Sequence, residues 1–206
     1  MLLSLRYSFA LAYAAEAHAR QTRKGTEIPY VSHLLAVSGL VLEHGGTEDE
    51  AIAALLHDAV EDQGGLERLA EIREKFGETV ANIVEGCTDD PSGEKAEWRS
   101  RKERYIAHLP DADPSVLLVS CSDKTHNARA IVSDLRALGD ALFERFRGGK
   151  EGTLWYYRSL ADVFLRCGPA RLAEELDRVV REMRELACGP VRDLRAGSES
   201  ERLVTP

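Results

Sequence analysis

The sequence predicts an all-α fold, and three observations predict it. Apolar residues recur at intervals of three and four along nearly the whole chain, which is the spacing of amphipathic helices. No stretch shows the alternation with β-branched residues that is typical of strands. Glycine pairs and polar turns separate the periodic stretches, and such residues commonly end helices. A compact bundle of several helices is therefore expected.

Turn and capping residues set the bounds of nine helices. The glycine pair at 45–46 ends the second helix, and Thr47 with Glu50 forms a capping box that starts the third. The glycine pair at 64–65 ends that helix, and a polar turn at 89–93 precedes the sixth. The expected helices cover residues 4–20, 32–44, 48–62, 66–75, 77–86, 96–108, 114–138, 151–167 and 170–187.

Length and composition favour one domain. The chain has 206 residues, of which 44% are hydrophobic and 30% charged, and this is ordinary globular composition. The helical periodicity fades after residue 187, where Gly, Ser, Glu, Arg and Pro become frequent. We expect the domain to cover residues 1–187, with residues 188–206 as a flexible C-terminal tail.

Charge and cysteine content argue against several classes of protein. The net charge of −8 provides no overall positive field, so neither nucleic acid nor a membrane is an expected partner. The four cysteines form no CxxC pair, which argues against a zinc knuckle or a disulfide framework. The apolar stretch at 7–15 is too short for a bilayer, which needs about 20 residues. We expect a cytoplasmic protein that captures any acidic substrate through local cations, with its oligomeric state open.

Residues 53–62 combine an apolar helix with a strip of ionisable side chains. At about 100° per residue, His57, Asp58, Glu61 and Asp62 share one side of the helix, and its other sides are apolar. Three adjacent carboxylates repel one another and lose hydration, a cost that a divalent cation offsets. The pattern favours a metal site, and a solvated acidic end of an amphipathic helix is the alternative.

Two further segments place single polar residues next to apolar runs. His33 opens an apolar helix, and Asp123 follows an apolar run. Alone, such a histidine is more often structural and such an aspartate is more often a helix cap. Together with His57 and Asp58 they form a set of two histidines and two aspartates, which suits a catalytic Mn²⁺, Fe²⁺ or Zn²⁺ site. Asn127 lies one helical turn after Asp123 and can donate toward the same cavity.

Candidate anion-binding residues lie in three places. Arg23 and Lys24 precede Gly25 in a loop, where a guanidinium can stack on a purine and an ammonium can meet a phosphate. Residues 94–104 hold five basic side chains and form a candidate lid, the alternative being a solvated helix face. Lys124 adjoins the predicted aspartate ligand and is the third candidate.

These residues can support metal-assisted phosphoryl transfer to water. A divalent ion lowers the pKa of a bound water to about 7 in favourable cases and screens phosphate charge. Glu61 lies one turn after His57, so we assign it as the base or water-orienting group, with Asp62 assisting. Which of the two carboxylates transfers the proton is left open.

The order of these motifs resembles the HD superfamily of metal-dependent phosphohydrolases. The finer pattern is similar to the hydrolase domain of RelA/SpoT homologues, and especially to stand-alone small alarmone hydrolases. The motifs that carry this resemblance are RKG at 23–25, PYVSH at 29–33, ALLHDAVED at 54–62, FGETVANIVEGCTDD at 76–90 and DKTHNAR at 123–129.

The resemblance implies an α-helical HD-domain bundle with one central Mn²⁺. It implies hydrolysis of the 3′-pyrophosphate of guanosine tetra- or pentaphosphate to GDP or GTP plus pyrophosphate. The metal ligands that it implies are His33, His57, Asp58 and Asp123. The implied catalytic pair is Glu61 and Asp62, and the implied substrate-binding residues include Arg23, Lys24 and Asn127.

The sequence also departs from the family's usual pattern. Leu34 replaces the usual Pro, Ser120 and Cys121 stand where Lys and Leu are common, and Gln63 stands where Thr is common. These changes leave the metal chemistry intact but leave the nucleotide open. The alternative substrates are NADPH, losing its 2′-phosphate, or a nucleoside phosphate. A nucleotide sensor without turnover is a third hypothesis, disfavoured because both acidic catalytic candidates are present.

Overall fold

The computed structural model describes residues 2–88 and 97–189, and within them it confirms the all-α class. The described part of the chain contains no strand, and one isolated bridge joins Thr22 to Pro29. The α-helices are α1 Leu5–Ala17, α2 Val31–Glu43, α3 Glu48–Leu56, α4 Ala59–Asp62, α5 Gly65–Phe76, α6 Glu78–Cys87, α7 Trp98–His108, α8 Pro114–Leu138, α9 Gly149–Cys167 and α10 Ala170–Cys188. Short 3₁₀ helices cover Leu109–Asp111 and Gly139–Arg145.

Side-chain caps start two of the helices that form the site. Thr47 and Glu50 form the predicted capping box, since each side chain bonds the backbone N–H of the other residue. Asp113 caps α8 by accepting from the backbone of Ser115 at 2.8 Å, and Pro114 occupies the first helical position. These caps fix where α3 and α8 enter the core.

The core is built around α3. Residues 51–56 are all fully buried, and α3 packs against α1, α2, α6 and α8. The 25-residue α8 also packs along α2, α6 and α10. This arrangement brings the first turn of α2, the end of α3 and the middle of α8 to one place in the interior.

The expected single helix over residues 48–62 is wrong. The structure divides it into α3 and α4, with Asp58 at φ −93° and ψ −7°, at the edge of the helical region. Neighbouring side chains diverge by about 100° on a regular helix. The break lets His57 and Asp58 converge instead, with Nε2 and Oδ2 3.0 Å apart.

Other expectations about the chain are tested only in part. The expected polar turn at 89–93 and the tail beyond residue 189 lie outside the described residues, so the proposed domain bounds stay a prediction. All four cysteines are free. Among the described residues, no helix is long and apolar enough to cross a membrane.

Two glycines provide a matched test of packing in this core. A Cβ on Gly46 would lie 2.5 Å from a methyl carbon of Val41 and 2.8 Å from its carbonyl oxygen. We expect Gly46→Ala to lower the free energy of unfolding by about 1–3 kcal/mol through overpacking. A Cβ on Gly39, inside α2, meets no described atom within 4 Å. Gly39→Ala should therefore raise the stability by about 0.5–1 kcal/mol through helix propensity.

Urea denaturation of both variants checks this prediction. A Gly46→Ala protein as stable as the parent would contradict the close approach of this turn to α2.

Candidate metal centre and adjoining pocket

Four side chains from three segments meet in the interior. His33 comes from the first turn of α2, His57 and Asp58 come from the α3–α4 break, and Asp123 comes from the middle of α8. Asp58 Oδ2 lies 3.4 Å from His33 Nε2 and 3.0 Å from His57 Nε2. Asp123 Oδ1 lies 3.2 Å and 3.7 Å from the same two nitrogens. The structure thus brings together all four predicted ligands.

These groups form a possible His/Asp metal site. Ligand atoms of His33, His57 and Asp58 all lie within 4.8 Å of one another, and Asp123 adjoins both histidines. The Nε2 atoms of both histidines are buried and have no hydrogen-bond partner among the described residues, although carboxylate oxygens are close. Buried nitrogen lone pairs without donors suit a cation, so the residues present fit a metal.

Hydrogen bonds on the far sides of the rings orient both histidines. Nδ1 of His57 lies 2.8 Å from the carbonyl oxygen of Ala54, which can only accept, so Nδ1 carries a proton and Nε2 is the ring nitrogen that faces the centre. Nδ1 of His33 lies 2.8 Å from Nδ1 of His126. Burial and neighbouring positive charge lower the pKa of His126 to about 4, so its ring is neutral and can accept from His33. The Nε2 atoms of both histidines then face the centre.

The electrostatics keep both aspartates ionised. Burial alone would raise the pKa of Asp58 and Asp123, but His57 beside Asp58 and Lys124 beside Asp123 hold both well below their usual range. Burial lowers the pKa of His57, but the two carboxylates outweigh it and hold that pKa above its usual range. The centre therefore attracts positive charge.

Neighbouring side chains hold the carboxylates in place. The hydroxyl of Tyr30 donates to Asp58 Oδ2 at 2.6 Å, and Lys124 Nζ donates to Asp123 Oδ2 at 2.6 Å. The amide of Asn127 donates to Asp123 Oδ1. Each carboxylate is thus oriented by an outer partner while an oxygen faces the histidines.

A pocket of about 480 Å³ adjoins this centre. Three of the predicted substrate-binding residues, Arg23, Lys24 and Asn127, line it together. Arg23 donates to Asn127 Oδ1 at 2.5 Å, so the pocket is tied through Asn127 to Asp123. Six further lining residues are Tyr30, His126, Asp134, Arg145, Phe146 and Tyr157.

The pocket is locally basic in an acidic chain. Three basic side chains line it, those of Arg23, Lys24 and Arg145. The carboxylate among its lining residues is that of Asp134, which pairs with Arg145 at 3.0 Å. Gly25 has φ +70°, and a Cβ there would lie 2.7 Å from Arg145 Nε. The absence of a side chain at Gly25 therefore lets Arg145 pack against the backbone of the RKG loop.

The remaining predicted site residues lie elsewhere. Lys124 is not among the residues that line the pocket, since its ammonium pairs with Asp123. Glu61 is partly exposed and pairs with Arg101 of α7 at 3.1 Å. Asp62 is exposed and accepts from Gln21 at 2.7 Å. The roles of these residues stay predictions.

The predicted lid at 94–104 is a packed helix where the structure describes it. Residues 94–96 lie outside the described residues, and α7 begins at Trp98. The indole of Trp98 packs against Gly148 and Gly152, where a Cβ would come within 2.6 Å and 3.1 Å of the ring. Arg99 stacks on Trp155 at 3.2 Å from the ring centroid. The described part of this segment is anchored by aromatic contacts.

The sequence analysis missed several of these residues. Tyr30 stands three residues before His33, within one helical turn, so its place in the PYVSH motif could have revealed it. Arg145 and Phe146 gave no local signal, because they reach the pocket only through the fold of the 3₁₀ helix after α8. Gln21 also gave none, since its partners Asp62 and Gln63 are 41 and 42 positions away.

Comparison with known proteins supports this picture. The HD domain family model matches residues 10–153. The chain belongs to the HD domain family. A solved structure of a metazoan SpoT orthologue described as hydrolysing ppGpp superimposes with a TM-score of 0.73 and 28% identity, covering 88% of this chain and 97% of that one.

Curated proteins of similar sequence include enzymes with the same named activity. The Xenopus tropicalis guanosine-3′,5′-bis(diphosphate) 3′-pyrophosphohydrolase MESH1 is 42% identical over 123 residues, which are 58% of this chain and 66% of the relative. The Aquifex aeolicus protein of the same enzymatic name is 36% identical over 122 residues. This match covers only 17% of the Aquifex protein, so the chain corresponds to one part of it.

The hydroxyl of Tyr30 provides a test of the HD-domain centre. Tyr30→Phe removes the hydrogen bond to Asp58 and leaves the ring, so we expect Mn²⁺ to bind about tenfold more weakly. Isothermal titration calorimetry measures this affinity. The control is Tyr7→Phe, which removes a hydroxyl that bonds Ser38. Equal Mn²⁺ affinity in the parent and Tyr30→Phe would refute this role.

Proposed function

We propose that this chain is a Mn²⁺-dependent 3′-pyrophosphohydrolase of guanosine tetra- and pentaphosphate. The observation that carries the proposal is the convergence of His33, His57, Asp58 and Asp123 beside a pocket lined by basic and aromatic side chains. The names of the relatives support the substrate. A cytoplasmic location and a single domain over residues 1–187 belong to the same proposal.

The four converging side chains would hold the metal. When bound, the cation supplies Lewis acidity that lowers the pKa of a water molecule and offsets phosphate charge. The buried Nε2 atoms and the Asp58 and Asp123 carboxylates supply a mixed nitrogen and oxygen donor set, which suits Mn²⁺. His126 and Tyr30 keep the donor atoms facing inward.

Glu61 and Asp62 would handle the proton. Both stand on α4, the turn that directly follows Asp58, and both keep their carboxylates outside the closed core. Glu61 would accept a proton from the attacking water, and Asp62 would assist it. Partial desolvation and the charge of Asp58 raise the pKa of Asp62, which makes it a better proton acceptor than an ordinary aspartate.

The pocket would hold the nucleotide. Arg23, Lys24 and Arg145 would provide cations for phosphates. The rings of Tyr30 and Phe146 line the same cavity, and Arg23 and Lys24 lie over them at 5.6 Å and 5.7 Å from the ring centroids. The net charge of the chain would repel such a polyanion, so these local cations must supply its attraction.

Two substitutions separate metal binding from turnover. We expect Glu61→Gln to retain Mn²⁺ and to lose at least about 100-fold in kcat, because it removes only the proton acceptor. We expect Asp123→Asn to weaken Mn²⁺ binding itself, since it replaces a buried anionic donor. Pyrophosphate release from guanosine tetraphosphate and Mn²⁺ calorimetry provide the two readouts. An unchanged rate in Glu61→Gln would refute its assignment.

A substrate panel tests the identity of the nucleotide. Guanosine tetraphosphate, NADPH and nucleoside phosphates are compared at equal concentration by kcat/KM. Hydrolysis of another nucleotide without pyrophosphate release from guanosine tetraphosphate would overturn the substrate but leave the fold and metal centre standing. Binding without any turnover in the Mn²⁺-loaded protein would favour the sensor hypothesis.

Two of the departures from the family pattern, Ser120 and Gln63, lie away from the pocket. Ser120 is buried, and its hydroxyl lies 3.5 Å from the sulfur of Cys87. Gln63 donates to Gln21. Neither residue lines the described pocket, so their positions give no support to a different nucleotide.

A further inference from the structure

Gln21 makes three side-chain contacts with residues of two separate segments. Its Nε2 donates to Asp62 Oδ2 at 2.7 Å. Its Oε1 accepts from Gln63 Nε2 at 2.6 Å and lies 2.7 Å from Nδ1 of His18. All the hydrogen-bonding atoms of this amide are thus engaged.

The carboxylate of Asp62 fixes the direction of these bonds. An ionised carboxylate only accepts, so the amide nitrogen of Gln21 must face Asp62. The amide oxygen then faces Gln63 and His18, and both of these partners can donate to it. The reversed amide would set an oxygen against the carboxylate and two donors against one nitrogen, so only one orientation satisfies the group.

The backbone of Gln21 is itself held in place. Its N–H donates to the carbonyl of His18 at 3.0 Å, and its carbonyl accepts from the N–H of Tyr30 at 2.9 Å. The His18 ring stacks on Tyr30, whose hydroxyl binds Asp58. The segment that holds Gln21 is therefore attached to the metal centre at a second point.

Asp62 has little else to fix its position. It ends α4, which has four residues, and Gly64 and Gly65 follow with φ of +133° and +59°. A single helical turn is not stable on its own. The backbone N–H of Asp62 donates to the carbonyl of Asp58 at 2.9 Å, but that bond leaves the carboxylate free to rotate. Among the described residues, the hydrogen bond that orients the carboxylate is the one from Gln21.

We infer that Gln21 is a positioning residue that holds Asp62 in the orientation needed for turnover. This inference rests on the proposed function, in which Asp62 assists Glu61. A carboxylate that rotates freely spends less time in the reactive geometry, so loss of the restraint lowers kcat. Gln21 lies outside the proposed ligand set, so Mn²⁺ affinity is unaffected.

Gln21→Met tests the inference, because methionine keeps the length of the side chain and removes the amide. In the full-length Mn²⁺-loaded protein we expect kcat to fall by about 10- to 100-fold, with KM and Mn²⁺ affinity within about twofold of the parent. The matched control is Gln63→Met, which loses a donor to Gln21 but keeps the Gln21–Asp62 bond. We expect its kcat to fall by less than about threefold.

A double-mutant cycle with Asp62→Asn separates positioning from a general structural role. If Gln21 acts through Asp62, then Gln21→Met causes no further loss of kcat in the Asp62→Asn background. A full additional loss there, or an unchanged kcat in Gln21→Met alone, overturns the inference. A fully active Asp62→Asn protein overturns it too, together with the proposed role of Asp62, while the substrate assignment stands.

Hydrogen–deuterium exchange gives a readout that needs no turnover. In Gln21→Met we expect faster exchange of the backbone amides at 59–64 and unchanged exchange in α3 and α8. If the rate of Asp62→Asn is too low for the double-mutant cycle, this exchange measurement tests whether Gln21 restrains Asp62. Unchanged exchange at 59–64 would overturn the inference even if the protein hydrolyses no nucleotide.

Discussion

The interior of this HD domain depends on two ionised carboxylates, Asp123 buried and Asp58 half-buried, that lie next to two buried imidazoles. Ionised aspartates in a core are costly unless cations and hydrogen-bond donors surround them. Asp123 is surrounded by Lys124, Asn127 and the two histidine rings, and Asp58 by the same rings and Tyr30. The need to surround these carboxylates with partners brings three helices to one point. It also explains why the helix is interrupted between α3 and α4.

The metal centre and the pocket form one hydrogen-bonded unit. The guanidinium of Arg23 bonds Asn127, which bonds Asp123, so a nucleotide phosphate that draws Arg23 away would act on a proposed metal ligand. Tyr30 lines the pocket and also orients Asp58, and His126 lines it and bonds His33. Three of the four proposed ligands thus have an outer partner in the pocket wall, which gives a physical route for coupling between the sites.

Periodicity and residue type predicted much of this arrangement, and tertiary contacts explain the rest. The all-α class followed from helical spacing, and the four convergent side chains followed from polar residues that interrupt apolar runs. The single helix over 48–62 was wrong because periodicity does not reveal that His57 and Asp58 must point the same way. Arg145 and Gln21 could not be found from the sequence pattern, since their roles depend on contacts between distant segments.

The site divides into a rigid centre and a lightly held rim. The histidines and Asp123 are buried among core residues, so any change there also disturbs packing and charge balance. Glu61 and Asp62 stand on one exposed turn, with Arg101 of α7 and Gln21 as partners from other segments. If Glu61 and Asp62 handle the proton as we propose, substitutions in these partners alter the rate with little effect on stability, because they change the orientation of the carboxylates rather than their burial.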